Sequence, residues 1–395
     1  MQVLRTQKYR LYPTAEQAEK LAEFARVVRF IYNLALEQRR DFWRQFKRAT
    51  GKSLNYVSQG RQLTELRAEN DWIAAVPANC QHSALQDLDK AFAKFWRGGG
   101  YPQFRKAGTH ETFEVKAADT GTRPLNRKWS QVRVPKIGWI KYRDTRPISG
   151  DIRSTRVVCE GGKWFACIGV RTEHEASASA LAAVGIDRGV TLALAMSDGN
   201  TATVPHSLVD LDKAARRAGR VLSRRKRGSA RYRKQRSVLA ATKTKATRVR
   251  RDWQHKATTA ICRDYGTVVI EALNTKGMTR RAHEKGVAQK RGLNRSILNV
   301  GWGSIEMMLT YKLEERGGTL IKINPAYTSQ TCSACGTIDK GSRESQARFV
   351  CTSCGHSENA DINAAKNILR QGLPGVDGGG CAPVEARTIH PRLAA

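Results

Sequence analysis

A multidomain α+β fold is what this chain predicts, and three observations carry that reading. Short β-branched runs bounded by Gly and Pro recur between about 101 and 175 and again after Val184, as strands do. Apolar residues at helical spacing mark 15–97, with Leu21, Phe24, Ala25, Val28, Ile31, Tyr32 and Ala35 on one face. Four cysteines, Cys332, Cys335, Cys351 and Cys354, follow the C-x2-C-x15-C-x2-C spacing of a structural zinc site. With 395 residues and 40% hydrophobic content, the chain can form about two to four cored domains.

Gln2 to Tyr12 alternates loosely and reads as a strand that Pro13 stops. Thr14 followed by Gln17 forms a capping box that opens the first helix. Another helix runs from about 79 to 96, with Leu85, Leu88, Phe92 and Phe95 on one face, and Gly98-Gly-Gly-Tyr-Pro102 ends it. Residues 15–97 are therefore a helical insertion. Strands at 112–115, 131–135, 139–142, 156–159 and 164–170 suggest that 98–178 forms a small β-barrel, completed by 1–14. His174 to Ala183 reads as a small-residue linker.

Val184 to Gly199 reads as strand, tight turn, strand, and further strands are expected at 267–271 and 319–323. One helix is expected over 297–317, with Ile305, Leu309 and Leu313 inward, and another from Asp361. Residues 373–395, in a stretch rich in Gly and Pro, read as a flexible tail.

The charge balance narrows the partner. Lys plus Arg number 69 against 35 Asp plus Glu, for a net charge of +34 and a pI near 10.3, which calls for a polyanion. The N-terminus has no apolar signal core and no stretch approaches ~18 apolar residues, so a cytoplasmic nucleic-acid binder is expected, with no membrane partner. Nine cysteines in this length are too sparse for a secreted disulfide scaffold. Cys80, Cys159, Cys167, Cys262 and Cys381 read as core or loop residues.

Between 213 and 256 stand 18 Lys or Arg against a single acid, Asp252. Such a run is often a solvated or disordered face. Interspersed Val221, Val238, Leu239, Val249 and Trp253 point instead to an ordered helical hairpin. Arg224, Arg225, Lys226, Arg227, Arg231, Arg233 and Lys234 are its candidate phosphate contacts.

Three acids then suggest chemistry. Asp187 lies in Val184-Gly-Ile-Asp-Arg-Gly-Val190, Glu271 ends Val268-Val-Ile-Glu271, and Asp361 opens Asp361-Ile-Asn-Ala-Ala-Lys366. Alone, each has a bland role: a turn residue, an exposed strand end, a helix cap. Together, strand–Asp–turn–strand, strand–Glu and Asp–helix give the order of an RNase H-like fold, in which the acids meet at strand ends. Their hard oxygens suit two Mg²⁺ ions, the arrangement that hydrolyses phosphodiesters. Asp187, read as central in its strand, is the candidate ligand shared by both ions. The four thiolates close a tetrahedral Zn²⁺ site with no open position, so that zinc is structural. It lies just before Asp361, where it orders the segment delivering the third acid or touches nucleic acid.

At these residues the sequence resembles the TnpB family encoded by insertion sequences and the smallest type V CRISPR effectors. Matching segments include Lys8-Tyr-Arg-Leu-Tyr-Pro-Thr14, Gly185-Ile-Asp-Arg-Gly189, Arg251-Asp-Trp-Gln-His-Lys256, Ile270-Glu-Ala-Leu-Asn-Thr-Lys-Gly-Met278, Thr328-Ser-Gln-Thr-Cys332 and Asp361-Ile-Asn-Ala-Ala-Lys-Asn-Ile368. The resemblance implies an RNA-guided endonuclease of double-stranded DNA, with a guide RNA transcribed from the transposon end and a short target-adjacent motif read by the protein. It implies a wedge-type barrel (1–14 and 98–178), a recognition insertion (15–97), a RuvC nuclease domain (179–326 and 357–372) and a zinc ribbon (327–356). Asp187, Glu271 and Asp361 would be the RuvC triad. Asn359-Ala-Asp361 departs from the charged Asp-Arg that many relatives carry before the last acid. Tyr56, Asn79 and Gln81 are candidate motif readers, because Asn and Gln pair with adenine edges and Tyr stacks. A nuclease-inactive RNA-guided repressor and a DDE-type transposase are the alternatives, and the intact triad and the barrel, hairpin and ribbon weigh against them.

Overall fold

The computed structural model describes residues 2–51, 53–173, 179–280, 286–345 and 347–373, in two compact units, Met1–His174 and Glu175–Ala395. Half of the expected linker and all but the first residue of the expected tail lie outside the described residues.

The first unit opens with strand β1 (Gln2–Tyr12) and helices α1 (Ala15–Thr50), α2 (Tyr56–Glu69), α3 (Asp71–Ala74) and α4 (Ala78–Trp96). Strands β2 (Thr112–Lys116), β3 (Thr122–Asn126), β4 (Trp129–Val134), β5 (Gly138–Arg143), β6 (Asp151–Glu160) and β7 (Lys163–Glu173) follow. They pair antiparallel in the order β2-β6-β7-β1-β5-β4-β3. β1 sits inside the sheet because Tyr9 and Leu11 alternate inward and its backbone pairs with β7 and then β5. The capping box forms as expected: Gln17 N donates to Thr14 Oγ1 at 3.2 Å and Thr14 N to Gln17 Oε1 at 3.1 Å. The whole anticipated face of α1, from Leu21 to Ala35, is buried against the sheet and the other helices.

Strand β3 was not anticipated, because Pro124 argues against a strand; it is tolerated at a sheet edge, where no donor is needed on one side. Near the two edge strands, the Thr120 hydroxyl reaches Thr155 Oγ1 at 3.0 Å and Arg133 O at 3.1 Å. Asp87 of α4 pairs with Arg105 at 2.8 Å and Arg156 at 3.2 Å, tying the helices to the sheet.

The second unit contains strands β8 (Ala183–Asp187), β9 (Leu194–Met196) and β10 (Thr201–Ala202), then helices α5 (His206–Ser223) and α6 (Ala230–Asp264). Strand β11 (Thr267–Glu271), helices α7 (Thr275–Met278), α8 (Val287–Val300) and α9 (Trp302–Glu314), and strand β12 (Thr319–Ile323) come next. Strands β13 (Arg348–Val350) and β14 (Ser357–Asn359) form a hairpin before the last helix, α10 (Ala360–Gly372).

The main sheet runs β10-β9-β8-β11-β12, with β8, β11 and β12 parallel. β8 and β11 read as nearly continuous apolar runs because both faces of the sheet are covered. One face packs on α6, α8 and α9 through Trp253, Ile297 and Leu309; on the other, Val269 and Ile323 meet Ile368 of α10. The single helix expected over 297–317 is two. Gly301 divides them with a φ of +74°, and a Cβ there would stand 2.4 Å from Gln254 Nε2, so only glycine fits.

Candidate active site

Asp187 is the last residue of β8, not central in that strand as expected; it is β8 that is central in the sheet. Glu271 ends the neighbouring parallel strand β11, in register so that Ile186 faces Ile270. Parallel pairing therefore puts both carboxylates at the same, carboxyl edge of the sheet. Asp361 arrives from α10, which lies close on β8: a Cβ at Gly185 would stand 2.2 Å from Ala365 O and 2.7 Å from Leu369 N. A Cβ at Gly189, just beyond Asp187, would stand 3.9 Å from Asp361 Oδ2. Gly185 thus lets the helix carrying the third acid approach the strand carrying the first.

The helix-cap role considered for Asp361 belongs to another residue. Asn359 caps α10, accepting from Asp361 N at 3.0 Å and Ile362 N at 3.2 Å. The Asp361 carboxylate is left to face Arg343, whose Nη2 lies 3.3 Å from Oδ1. Glu271 is held by the buried Thr328 hydroxyl, which donates to Oε1 at 2.6 Å. Arg188, 3% exposed, donates to the Glu271 carbonyl and pairs with Glu306 at 3.1 Å.

The electrostatics follow from burial and from this convergence. Burial, then the charges of Glu271 and Asp361, push Asp187 up to about 7 from its ordinary 3.8. Burial raises Asp361 as well, against the opposing pull of Arg343. So much buried negative charge with few cations beside it is what divalent metal ions neutralise, and an all-oxygen donor set fits Mg²⁺. Among the described residues, only the four cysteines bring three or more ligand atoms within 4.8 Å of one another. The acids stand wider apart than that.

The cysteines fit zinc. Sγ of Cys332 lies 3.7 Å from Cys354, and Cys335 lies 3.6 Å from Cys351. A tetrahedron with zinc–sulfur bonds of about 2.3 Å has edges of about 3.8 Å, whereas a disulfide needs about 2.05 Å. Both pairs turn alike: Gly336 N donates to Cys332 O and Gly355 N to Cys351 O, each at 3.0 Å, with φ of +78° and +68°. Thr337 hydrogen bonds hold the Cys335 thiol down at about 6. Cys80 and Cys262, by contrast, are buried and raised to about 12 and about 11, as inert core thiols. Cys159 and Cys167 are half-buried and form no disulfide among the described residues, while Cys381 lies outside them.

The cysteine segment is laced to α10. Asn363 Nδ2 donates to Thr331 O at 2.8 Å and its Oδ1 accepts from Ser333 N at 2.8 Å. Asn367 Nδ2 donates to Thr328 O at 3.0 Å, and Arg370 Nη2 to Cys332 O at 3.1 Å. These contacts order the stretch carrying Thr328, Arg343 and Asp361 together. Thr328 and Arg188 stood inside the motif blocks without a role of their own; Arg343 carried no sequence signal.

The basic hairpin is present as α5 and α6. Arg224, Arg225, Lys226 and Arg227 occupy its turn, and Arg231, Arg233 and Lys234 the start of α6. All are exposed, and none forms an ion pair among the described residues. Trp253 anchors the hairpin base, but Val221 and Val238, read as ordering residues, are exposed.

The candidate motif readers fare unequally. Gln81 is a correction: it is fully buried, its amide donating to Ile73 O at 2.6 Å and Val76 O at 3.3 Å, so it holds α3 to α4 and reaches no base. Asn79 is exposed but donates to Asp119, and Tyr56 is half-buried with its hydroxyl 3.3 Å from His82 Nδ1.

Comparison with known proteins gives three family matches: "Cas12f1-like, TNB domain" over 302–368, "Probable transposase" over 166–282 and "Helix-turn-helix domain" over 1–48. The last description does not fit the geometry, since 1–48 is one strand and part of one helix. The chain is 33% identical to the RNA-guided DNA endonuclease InsQ of Escherichia coli K12, covering 94% of this chain and 93% of that protein. An RNA-guided DNA endonuclease of Streptomyces pristinaespiralis is 31% identical, over 94% and 90%. The Cas12f1 endodeoxyribonuclease of Sulfoacidibacillus thermotolerans is 46% identical over 84 residues, 21% of this chain and 19% of that one. In fold, the chain is similar to a Cas12f1–sgRNA–target DNA complex at a TM-score of 0.58 and 15% identity, covering 93% of this chain and 99% of that one. No described helix is long and apolar enough to cross a membrane. With relatives matched nearly end to end at a third identity, and with the acids, the four cysteines and the basic hairpin each in place, the chain belongs to the TnpB family.

Proposed function

We propose that this protein is an RNA-guided endonuclease of double-stranded DNA whose nuclease centre is Asp187, Glu271 and Asp361. The observation that carries the reading is the convergence of these acids at one sheet edge, close enough that two of them raise the third. The names of InsQ and the Streptomyces relative support the substrate and the guide, and the exposed cations of the α5–α6 turn support a polyanionic partner.

Divalent cations bound at such a centre activate water and stabilise the leaving oxygen. The chain's own part is positional. Asp187, at the end of the central strand, would hold these ions with Glu271 and Asp361. Thr328 fixes one oxygen of Glu271 and leaves the other to bind, and the Arg188–Glu306 pair steadies the backbone behind it. Arg343 provides positive charge beside Asp361, where this chain has Ala360 in place of the basic residue of many relatives.

In this reading 179–326 and 357–372 form the RuvC domain, and 327–356 is the zinc ribbon that seats Asp361. Residues 1–14 and 98–178 are the wedge barrel, a reading favoured by the side-chain link at Thr120, and 15–97 is the recognition insertion. Tyr56 and Asn79 remain the candidate readers of the flanking motif; Gln81 does not. The guide comes from the transposon end.

The test is to purify the protein from cells carrying its native flanking DNA, sequence the bound RNA and challenge the complex with matching duplex and Mg²⁺. A single structured RNA and guide-directed cutting, lost in Asp187→Ala, support the proposal. Random RNA, or cutting that survives the substitution, overturns it.

A further inference from the structure

The helices of the first unit carry aromatic surface that their core does not use. Trp43 near the end of α1 is 46% exposed and Trp96 at the end of α4 is 64% exposed. Their ring centroids stand 6.1 Å apart. Phe95 extends the array, 5.0 Å from Trp96 and 5.3 Å from Tyr101. Together they line an open cavity of about 440 Å³. Arg39, Arg40 and Arg44 stand in its wall and, among the described residues, no carboxylate lines it, although Asp89 pairs with Arg39 at 2.5 Å and Asp41 and Glu37 offset Arg40 at 3.1 and 3.3 Å.

Two half-exposed tryptophans at a cavity mouth leave apolar area in water that a partner would cover. The chemistry of the wall selects that partner. Aromatic faces beside guanidinium groups match an unpaired base and its phosphate: the ring stacks and the cation takes the backbone charge. A second copy of the chain would bring another +34 toward the same arginines, whereas a nucleic acid brings the opposite charge. Duplex DNA offers no unpaired base until it is opened. Structured RNA carries unpaired loop bases from the start, and such bases are held by stacking on aromatic side chains and arginine planes.

We propose that this cavity between α1 and α4 holds one unpaired base of the guide RNA, stacked against Trp43 and Trp96, with Arg44 on the adjoining phosphate. The inference rests on the reading that the chain carries a guide RNA, and the experiment separates the two.

The probe is the RNA that copurifies with the full chain, titrated onto RNA-stripped parent, a Trp43→Ala/Trp96→Ala pair and a Trp43→Phe/Trp96→Phe pair. Stacking on this cavity makes the alanine pair bind about 10- to 100-fold more weakly. The salt slope stays unchanged, because no phosphate contact is removed. The phenylalanine pair stays within about threefold of the parent, because it keeps a ring face. RNA binding also quenches tryptophan fluorescence in the parent. Equal affinity in all three proteins, with no quenching, overturns the cavity assignment while leaving the guided nuclease intact. A defect that appears only after target DNA is added reassigns the cavity to displaced DNA, and a loss of dimer on sedimentation reassigns it to a second copy; either overturns the RNA assignment. Should no defined RNA copurify with the parent, the guide reading falls and this inference with it.

Discussion

The four cysteines and the three acids are both candidate metal-binding sets of the second unit, yet they are built in opposite ways. The cysteines come from two tight turns within one short segment, and their sulfurs already lie at 3.6 and 3.7 Å, near the edge of a zinc–thiolate tetrahedron. The acids come from the ends of two strands and the start of a distant helix, and they stand wider. Local turn chemistry finishes the first site. Sheet register, the glycine at 185 and a lacing of asparagines are needed for the second. The closed set completes itself; the open one stores unbalanced negative charge, as the raised Asp187 shows.

Breaking the closed site should have the largest effect, because it also disturbs the open one. Cys351→Ser should release zinc, measured by metal content, and melt the segment carrying Thr328, Arg343 and the lacing to Asp361, since structural zinc contributes on the order of 10 kcal/mol. Cleavage should then be undetectable. If the variant loses zinc but cuts normally, the ribbon does not seat Asp361.

Breaking only the open site leaves the fold standing. Asp187→Ala should slow cleavage at least about 1000-fold, roughly 4 kcal/mol of barrier, while RNA affinity stays within a few-fold. A parallel fall in affinity would mean that the acid shapes the binding surface instead.

The stored charge has its own signature, in Mg²⁺-free buffer with zinc retained. The folded pKa of Asp187, about 7, lies above its ordinary 3.8, so its contribution to stability is full below 3.8 and is lost as pH rises through 7. Asp187→Asn should therefore be more stable than the parent at pH 8, by about 2–4 kcal/mol at ~1.4 kcal/mol per pKa unit. The gap should close by about pH 4, and Mg²⁺ should narrow it at pH 8. Chemical denaturation at the two pH values reads both, and a gap independent of pH would place the repulsion elsewhere.

Smaller effects refine the picture. Thr328→Val removes the hydroxyl on Glu271 Oε1 and should lower the cleavage rate about 10-fold, with a higher Mg²⁺ requirement, as loss of a second-layer contact does. Neutralising Arg224, Arg225 and Arg227 to Gln touches neither site. It should lower the slope of log affinity against log salt by about 2–3 while leaving the rate at saturation unchanged. An unchanged slope would return that run to a solvated face.

Much of this was legible in the residues. The capping box at Thr14, the buried face of α1 and the cysteine cluster all formed as read, because each is marked by a regular spacing of residue types along the chain. The misreadings share a physical cause. Gln81 looks polar and available, but its burial depends on α3 folding over α4. The break at Gly301 follows from Gln254 on another helix, and β3 is tolerated because of its edge position, which Pro124 alone does not reveal.

The sequence by itself determined the kind of chemistry: hard oxygens at strand ends, soft thiolates at knuckle spacing, and a basic run that calls for a polyanion. These are properties of residue type and short spacing. Only the tertiary structure decided which charges meet. Parallel register aligned Asp187 with Glu271, the close approach at Gly185 brought α10 down onto β8, and Arg343 reached Asp361 from within the cysteine segment. Coulomb interactions act through space, so the one group that carried no sequence signal, Arg343, became the cation paired with the third acid.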